Sequence, residues 1–361
     1  MRSLVNPDIL RVRPYEPGKP VEEVKRELGL KRVIKLASNE NPLGPSPEAV
    51  RAIKEFASKI NFYPDGGGYY LKKALSKKLF IEDKNIILGN GSDEIIAMVS
   101  RIFLTRGEEA IVPTPSFLMY KIDVKISGGK IISVPLKNFR IDLKSIKEAI
   151  TPRTKLIFIA NPNNPTGTIV KKDEVREFLE SIPESILTVF DEAYYEYVEN
   201  EEYPQTLEFM KERNILVLRT FSKIYGLAGL RIGYGITKEE IVDILNRVRP
   251  PFNVNSLAQI AALASINDDY QIKRSRELVR EGKKFLYSHL RKMGISFVPT
   301  EANFILIKVG ENAKEVENRL LHRGIIVREM TPYNLPEYIR VSIGTMEQNE
   351  EFVRELQVSL R

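Results

Sequence analysis

The chain contains no cysteine, and only two of its 361 residues are histidine. The absence of cysteine excludes a disulfide framework, a zinc–thiolate site and a cysteine nucleophile together. His289 and His322 each sit in a helical pattern among Leu and Arg, which reads as packing or surface placement, so no metal site is expected. No apolar run approaches the roughly 20 residues that cross a bilayer. The opening MRSLVNPDILRVRPYEPGKP carries prolines and charges where a signal peptide needs an apolar core. A cytoplasmic protein with no membrane partner is the resulting expectation.

Low-complexity tracts are missing as well. Gly and Pro are scattered, 43% of residues are apolar and 29% charged, which is the composition of an ordered globular chain long enough for a large domain and a smaller one. The net charge of +7 could serve nucleic acid or small anions. Lys and Arg alternate with acids in KRELGLKR, KKDEVREFLE and KERN, and no basic block interleaved with aromatics appears, so small anionic ligands are the better reading.

Ser46-Pro47 reads as an N-cap followed by proline at the first helical position, opening a helix through Ser58 with Val50, Ile53 and Phe56 at helical spacing. A second helix follows Gly66-Gly67-Gly68. Beyond it, short apolar runs at Ile86, Glu109 to Val112, Lys130 to Val134, Leu156 to Ala160, Ile186 to Phe190 and Ile215 to Leu218 predict strands. LIFIA and ILVL are apolar on both faces, as strands buried between two helical layers must be, so the central region predicts a mostly parallel α/β sheet. After Lys238 the texture changes to helices near 238–248, 256–266 and 268–293. Strands follow near 295–298, 303–308, 325–328 and 338–342, with a helix near 311–323. The expected organisation is an N-terminal segment 1–45 packing with the small domain, a large domain 46–240, and a small α+β domain 241–361.

Four segments carry candidate chemistry. Gly89-Asn90-Gly91-Ser92-Asp93-Glu94 joins a strand to a helix, where glycines admit an anion and the helix start offers free N–H groups. Asn161-Pro162-Asn163-Asn164-Pro165-Thr166-Gly167 leaves the buried strand LIFIA at its C-terminal end, where open α/β sheets bind ligands. Phe190-Asp191-Glu192-Ala193-Tyr194 brings a carboxylate out of another apolar strand; such a charge needs a partner, either a capped turn or a ring nitrogen. Lys223, in Arg219-Thr220-Phe221-Ser222-Lys223 with Gly226-Leu227-Ala228-Gly229-Leu230-Arg231 downstream, lies in a Ser- and Gly-rich turn just past ILVL, an unusual place for a solvated lysine.

In order and spacing, these four segments resemble the fold-type I, class I/II aminotransferases over nearly the whole chain. Within that group they are most similar to the histidinol-phosphate aminotransferases, through SNENPLGPS at 38–46, Tyr63-Pro64-Asp65-Gly66 and the closing RVSIGT at 340–345. The resemblance implies pyridoxal 5'-phosphate (PLP) as cofactor, transamination between histidinol phosphate and 2-oxoglutarate in histidine biosynthesis, and a homodimer.

It further implies that Lys223 holds the cofactor as a Schiff base and moves the proton, Asp191 pairs with the ring nitrogen, Asn164 and Tyr194 bind the ring's phenolic oxygen, and Phe117 stacks on the ring. Gly91, Ser92, Asp93, Thr220, Ser222 and Arg231 would surround the phosphate, with Tyr63 reaching the phosphate of the neighbouring subunit. Arg340, helped by Arg328, would bind the substrate's anion, with Asn39 and Tyr15 also at the substrate. A threonine-phosphate decarboxylase or an aromatic amino acid aminotransferase would share nearly the same motifs. A DNA-binding regulator would need a further module, for which the residues before 46 look too few.

Overall fold

The computed structural model describes residue 4 and residues 9–360. Its centre is a seven-stranded sheet of β1 (Ile86–Gly89), β2 (Glu109–Thr114), β3 (Lys130–Pro135), β4 (Thr154–Ala160), β5 (Leu187–Asp191), β6 (Ile215–Thr220) and β7 (Gly233–Ile236). The strands lie in the order β1-β7-β6-β5-β4-β2-β3, and β7 alone runs antiparallel to its neighbours.

Alternation along the strands explains why both faces are covered. Leu156, Phe158, Val189 and Leu218 pack into one core while Ile157, Ile159, Phe190 and Val217 pack into the other. Each such side chain removed from water contributes about 1.5–3 kcal/mol, which makes this twice-covered sheet the rigid part of the molecule.

The reversed strand β7 was not among the expected strands, because GYGI lacks the side chains that mark one. Packing supplies the reason: a Cβ on Gly233 would stand 2.5 Å from the Ser92 amide nitrogen, so only glycine lets the helix Ser92–Phe103 sit against this strand.

The helix expected to run through Ser58 spans Pro47–Phe56 and ends in a 3-10 turn, Ala57–Lys59. Ser46 caps it as expected, accepting from the Ala49 amide at 3.2 Å. The segment expected as one strand near 325–328 is two short pieces, Ile325–Ile326 and Arg328–Glu329.

A second, antiparallel sheet takes the order β10-β11-β9-β8, with β8 Phe297–Val298, β9 Phe304–Lys308, β10 Arg328–Glu329 and β11 Tyr338–Ser342. Ile34–Lys35 pairs in parallel with Ile325–Ile326, and the Ser342 amide donates to the Leu36 carbonyl at 2.7 Å. The N-terminal segment is thereby tied to this second sheet.

The expected boundary at 240/241 lies within the helix Glu239–Asn246. The helix Glu239–Asn246 packs on β1 and the helix Ser256–Ser265 packs on Pro47–Phe56 and Tyr69–Leu79, so both belong to the layers around the large sheet. Their apolar faces, Ile241, Val242 and Leu245 on the first and Ala258, Ala261 and Ala262 on the second, are buried there. The change of layer comes with the long helix Asp269–Lys292, which packs against Met346–Ser359. Among the described residues, no helix is long and apolar enough to cross a membrane.

Candidate active site

The large sheet reverses its order of winding between β4 and β2, and at such a switch the loops leaving the two strands part and open a crevice. Ser116 and Asn163, one from each loop, close its floor with a 2.8 Å hydrogen bond. Above it lies a cavity of about 260 Å³. Most of the expected site residues line it: Tyr15, Asn39, Ser92, Asp93, Phe117, Asn164, Asp191, Tyr194, Thr220, Ser222, Lys223, Arg231, Arg328 and Arg340.

One end is an anion cradle. Ser92 and Asp93 open the helix Ser92–Phe103, so their amides belong to the N-terminal turn that lacks intrahelical acceptors. Arg231 reaches Ser222 Oγ at 3.3 Å and Asp93 Oδ2 at 3.4 Å, and Thr220 Oγ1 accepts from the Ser222 amide at 3.1 Å. Gly91 does not line the cavity; its place is steric. With φ of 81°, a Cβ there would stand 2.6 Å from Arg231 Nη2, so glycine is what lets the guanidinium reach the helix start.

Asp191 ends β5 and is buried, and burial pushes its carboxyl up to about 6. Two donors hold it: the Tyr120 hydroxyl at 2.6 Å on Oδ2 and the Ala193 amide at 3.1 Å on Oδ1. A cationic ring nitrogen facing this carboxylate would offset the cost of burying it.

Across the cavity, Lys223 is half-buried, with its ammonium 3.3 Å from the Ser38 carbonyl and 5.6 Å from the Tyr194 ring centroid. Burial first, and then the Arg340 charge, lower this amine to about 8. A substantial neutral fraction near pH 7–8 is what attack on an aldehyde requires.

The Tyr194 hydroxyl accepts from Asn39 Nδ2 at 2.9 Å, which leaves its own proton for another acceptor; burial pushes its ionisation up to about 12. Asn39 is fixed in turn by Ser342 and Asn303. Asn164 Oδ1 accepts from Arg340 Nη1 at 2.6 Å, and Arg340 Nη2 donates to the Ala37 carbonyl at 2.7 Å. Arg340 Nε is buried with no protein partner, a donor whose desolvation an incoming anion would offset. Arg328 stands directly across from Arg340 on β10, so the two guanidiniums share one face of the small sheet.

Three residues at the site carry no expectation from the motifs. Tyr120 donates to Asp191; it lies three residues after Phe117 on the helix Leu118–Ile126, and that spacing was the available signal. Tyr333 is buried at the Arg340 end, and Ser38 offers its carbonyl to Lys223. Ser38 opens the SNENPLGPS motif, but its part here is played by the backbone, which residue type does not mark, and Tyr333 stands in no such motif.

Tyr63 is not brought to the cavity. It is 82% exposed and stacks on Phe252 with centroids 4.7 Å apart. The two histidines lie elsewhere, on the helices Asp269–Lys292 and Ala313–His322. Among the described residues no group of three His, Cys, Asp or Glu is placed to hold a metal.

The donor set therefore fits a ligand carrying a phosphate at one end, a basic ring nitrogen at the other and an aldehyde between them, the groups of pyridoxal phosphate. Comparison with known proteins agrees. The family model described as aminotransferase class I and II matches residues 31–356. A histidinol-phosphate aminotransferase of Moorella thermoacetica is 52% identical over 96% of this chain and 91% of its own length. One from Caldicellulosiruptor saccharolyticus is 49% identical over 96% and 98%. The crystal structure of histidinol-phosphate aminotransferase from Sinorhizobium meliloti in complex with pyridoxal-5'-phosphate superposes with a TM-score of 0.92 at 27% identity, covering 99% of this chain and 98% of that one. The chain belongs to the class I and II aminotransferases.

Proposed function

We propose that the protein transfers an amino group between histidinol phosphate and 2-oxoglutarate, as a pyridoxal-phosphate enzyme of histidine biosynthesis in the cytoplasm. The observation that carries this reading is the convergence of Lys223, Asp191 and Arg340 on one cavity with the cradle at Ser92 and Arg231. The relatives, 46–52% identical, bear the histidinol-phosphate aminotransferase name, which favours transamination over the decarboxylase and aromatic aminotransferase alternatives.

Bound at this site, pyridoxal phosphate supplies an aldehyde and an electron-withdrawing ring. The protein does the rest. Ser92, the Asp93 amide, Thr220, Ser222 and Arg231 hold the phosphate; Asp191 keeps the ring nitrogen protonated, steadied by Tyr120. Tyr194 and Asn164 donate toward the phenolic oxygen, and Phe117 covers one ring face. Lys223 would provide the covalent anchor and, once its amine is free, would carry the proton of the substrate's Cα.

Histidinol phosphate has a phosphorylated hydroxymethyl group where glutamate has its α-carboxylate. A guanidinium fork suits either anion, so Arg340, with Arg328 and Asn39 beside it and Tyr15 over the opening, serves both half-reactions.

A homodimer belongs to this reading. Ile60, Phe62, Tyr63 and Phe252 are exposed and line one largely apolar surface cleft of the kind a second copy covers. Tyr63 would then reach the partner's phosphate cradle; light scattering that gives a monomer mass at micromolar concentration would remove this part.

The test of the activity is the visible spectrum of the purified protein before and after histidinol phosphate is added without an oxo acid. Loss of the lysine-linked cofactor band, restored by 2-oxoglutarate, is expected. An unchanged spectrum, or carbon dioxide release from O-phosphothreonine in its place, would overturn the assignment.

A further inference from the structure

Beside the active-site cavity lies a second cleft, of about 440 Å³, that shares Tyr15 and Arg328 with it as a common wall. Its far wall is one face of the helix Leu118–Ile126, along which Leu118, Lys121, Ile122 and Lys125 recur at helical spacing. The other face of that helix carries Tyr120, Asp123 and Val124 into the protein. Val12 and Pro14 from the N-terminal segment and Pro332 from the turn after β10 complete an apolar lining.

The charge in this cleft is one-sided. Besides Arg13, the cations Lys121, Lys125 and Arg328 face it, against a single acid among the described residues, Glu16, whose contact with Arg328 runs through its backbone carbonyl at 2.7 Å. Among the described residues none of these three cations has a carboxylate at ion-pair distance, whereas lysines 19, 25, 35, 73, 84 and 130 do. Burial and the neighbouring Lys125 charge both hold the Lys121 ammonium below its usual range, so two like charges are kept together on one helix face with no described carboxylate at ion-pair distance.

We propose that this cleft is a vestibule that binds small dianions, the phosphate monoester of the amino donor first among them, and passes them to Arg340. The inference rests on the reading of Arg340 as the receiver of the substrate's anion. Geometry supplies the path: Arg328 forms part of both cavities and stands opposite Arg340 across β10 and β11, so an anion moving from the lysines inward meets a cation at each stage. Apolar walls at Leu118, Ile122 and Pro332 keep the local dielectric low and strengthen the field within the cleft. Lysine suits this task, since a mobile point charge holds an anion without the fixed fork by which arginine retains one.

The test compares the cofactor-loaded wild type with the Lys121→Gln/Lys125→Gln double variant. kcat/KM is measured with histidinol phosphate, and with histidinol as the donor lacking phosphate, from about 10 mM to 300 mM ionic strength, a span over which screening shortens from about 30 Å to under 10 Å. Wild-type kcat/KM for histidinol phosphate should fall about tenfold as salt rises. The double variant should start several-fold lower and respond weakly to salt, with kcat and all histidinol rates at wild-type values. Equal kcat/KM and equal salt response in the two proteins would overturn the proposal, as would a loss of kcat with both donors, which would make the lysines structural. Calorimetric titration with inorganic pyrophosphate separates the vestibule from the assigned reaction. If the wild type does not turn over histidinol phosphate, the functional reading fails, and the vestibule still stands if pyrophosphate binds the wild type at least several-fold more tightly than the double variant. Equal pyrophosphate binding in the two would remove it.

Discussion

The two ends of the active-site cavity are built by different means. At the cofactor end, Ser92, Asn164, Asp191, Thr220 and Lys223 all lie within four residues of the C-terminal end of a strand in the large sheet, and each is buried or half-buried. Their positions follow from strands whose two faces are both covered, and the ends of four strands at one sheet edge suffice to assemble them. The substrate end has no such common edge. Asn39 and Tyr15 come from the N-terminal segment, Arg328 and Arg340 from the small sheet and Tyr333 from a turn, and Tyr15 is 45% exposed. A rigid end that holds one ligand permanently and a composite end that admits two alternating substrates call for these different constructions.

This contrast predicts that damage at the cofactor end is large and indifferent to substrate, while damage at the substrate end is smaller and graded by burial. The largest effect is expected for Lys223→Ala, where turnover should fall by roughly 10⁴-fold with every donor, because covalent anchor and proton carrier are lost together. Asp191→Asn should follow, with a loss of about 10²–10³-fold, since a neutral amide cannot keep the ring nitrogen protonated. Steady-state rates with histidinol phosphate and with glutamate measure both, and a loss confined to one donor would break the comparison.

Arg340→Ala should cost about 100-fold in each half-reaction, the scale for removing one member of a buried, hydrogen-bonded charge contact. The cofactor should stay bound, as its retained visible band would report. Normal turnover with glutamate in this variant would refute a pocket shared by both substrates.

A pH profile sharpens the same contrast. Protein stripped of cofactor should capture pyridoxal phosphate at a rate set by the neutral fraction of Lys223. With the amine lowered to about 8, that fraction rises about tenfold per pH unit below 8 and levels off above it. An ordinary lysine would keep gaining up to about 10.4, so a stopped-flow rate still climbing at pH 10 would show that the amine is not perturbed. The smallest change is expected for Arg328→Ala, a few-fold rise in KM with kcat retained, because a partly exposed guanidinium is screened by water.

The same division explains what could be read from the residues alone. LIFIA, the run ending in Phe190-Asp191 and ILVL announce buried strands, and the polar residues just beyond them announce a site, because strand, turn and ligand group are consecutive in the chain. Tyr120 escaped that reading although it donates to Asp191, since its role depends on a contact across 71 positions of sequence. β7 escaped because the packing of the helix Ser92–Phe103 demands glycines where a strand usually shows branched side chains. That the helix Ser256–Ser265 packs on Pro47–Phe56 and Tyr69–Leu79 has no local mark in its own residues. Arg328 and Arg340 were legible as arginines in strands, whereas their standing opposite one another is a property of register that only the folded sheet displays.

The central claim is that one amine, Lys223, bonds to the cofactor while Asp191 faces the ring nitrogen. Borohydride reduction of the loaded protein, followed by proteolysis and mass spectrometry of the peptides, tests it most directly. The account predicts a single pyridoxyl group on the peptide containing Ser222-Lys223-Ile224. A reduced label on any other lysine, or protein that carries none after incubation with pyridoxal phosphate, would contradict it.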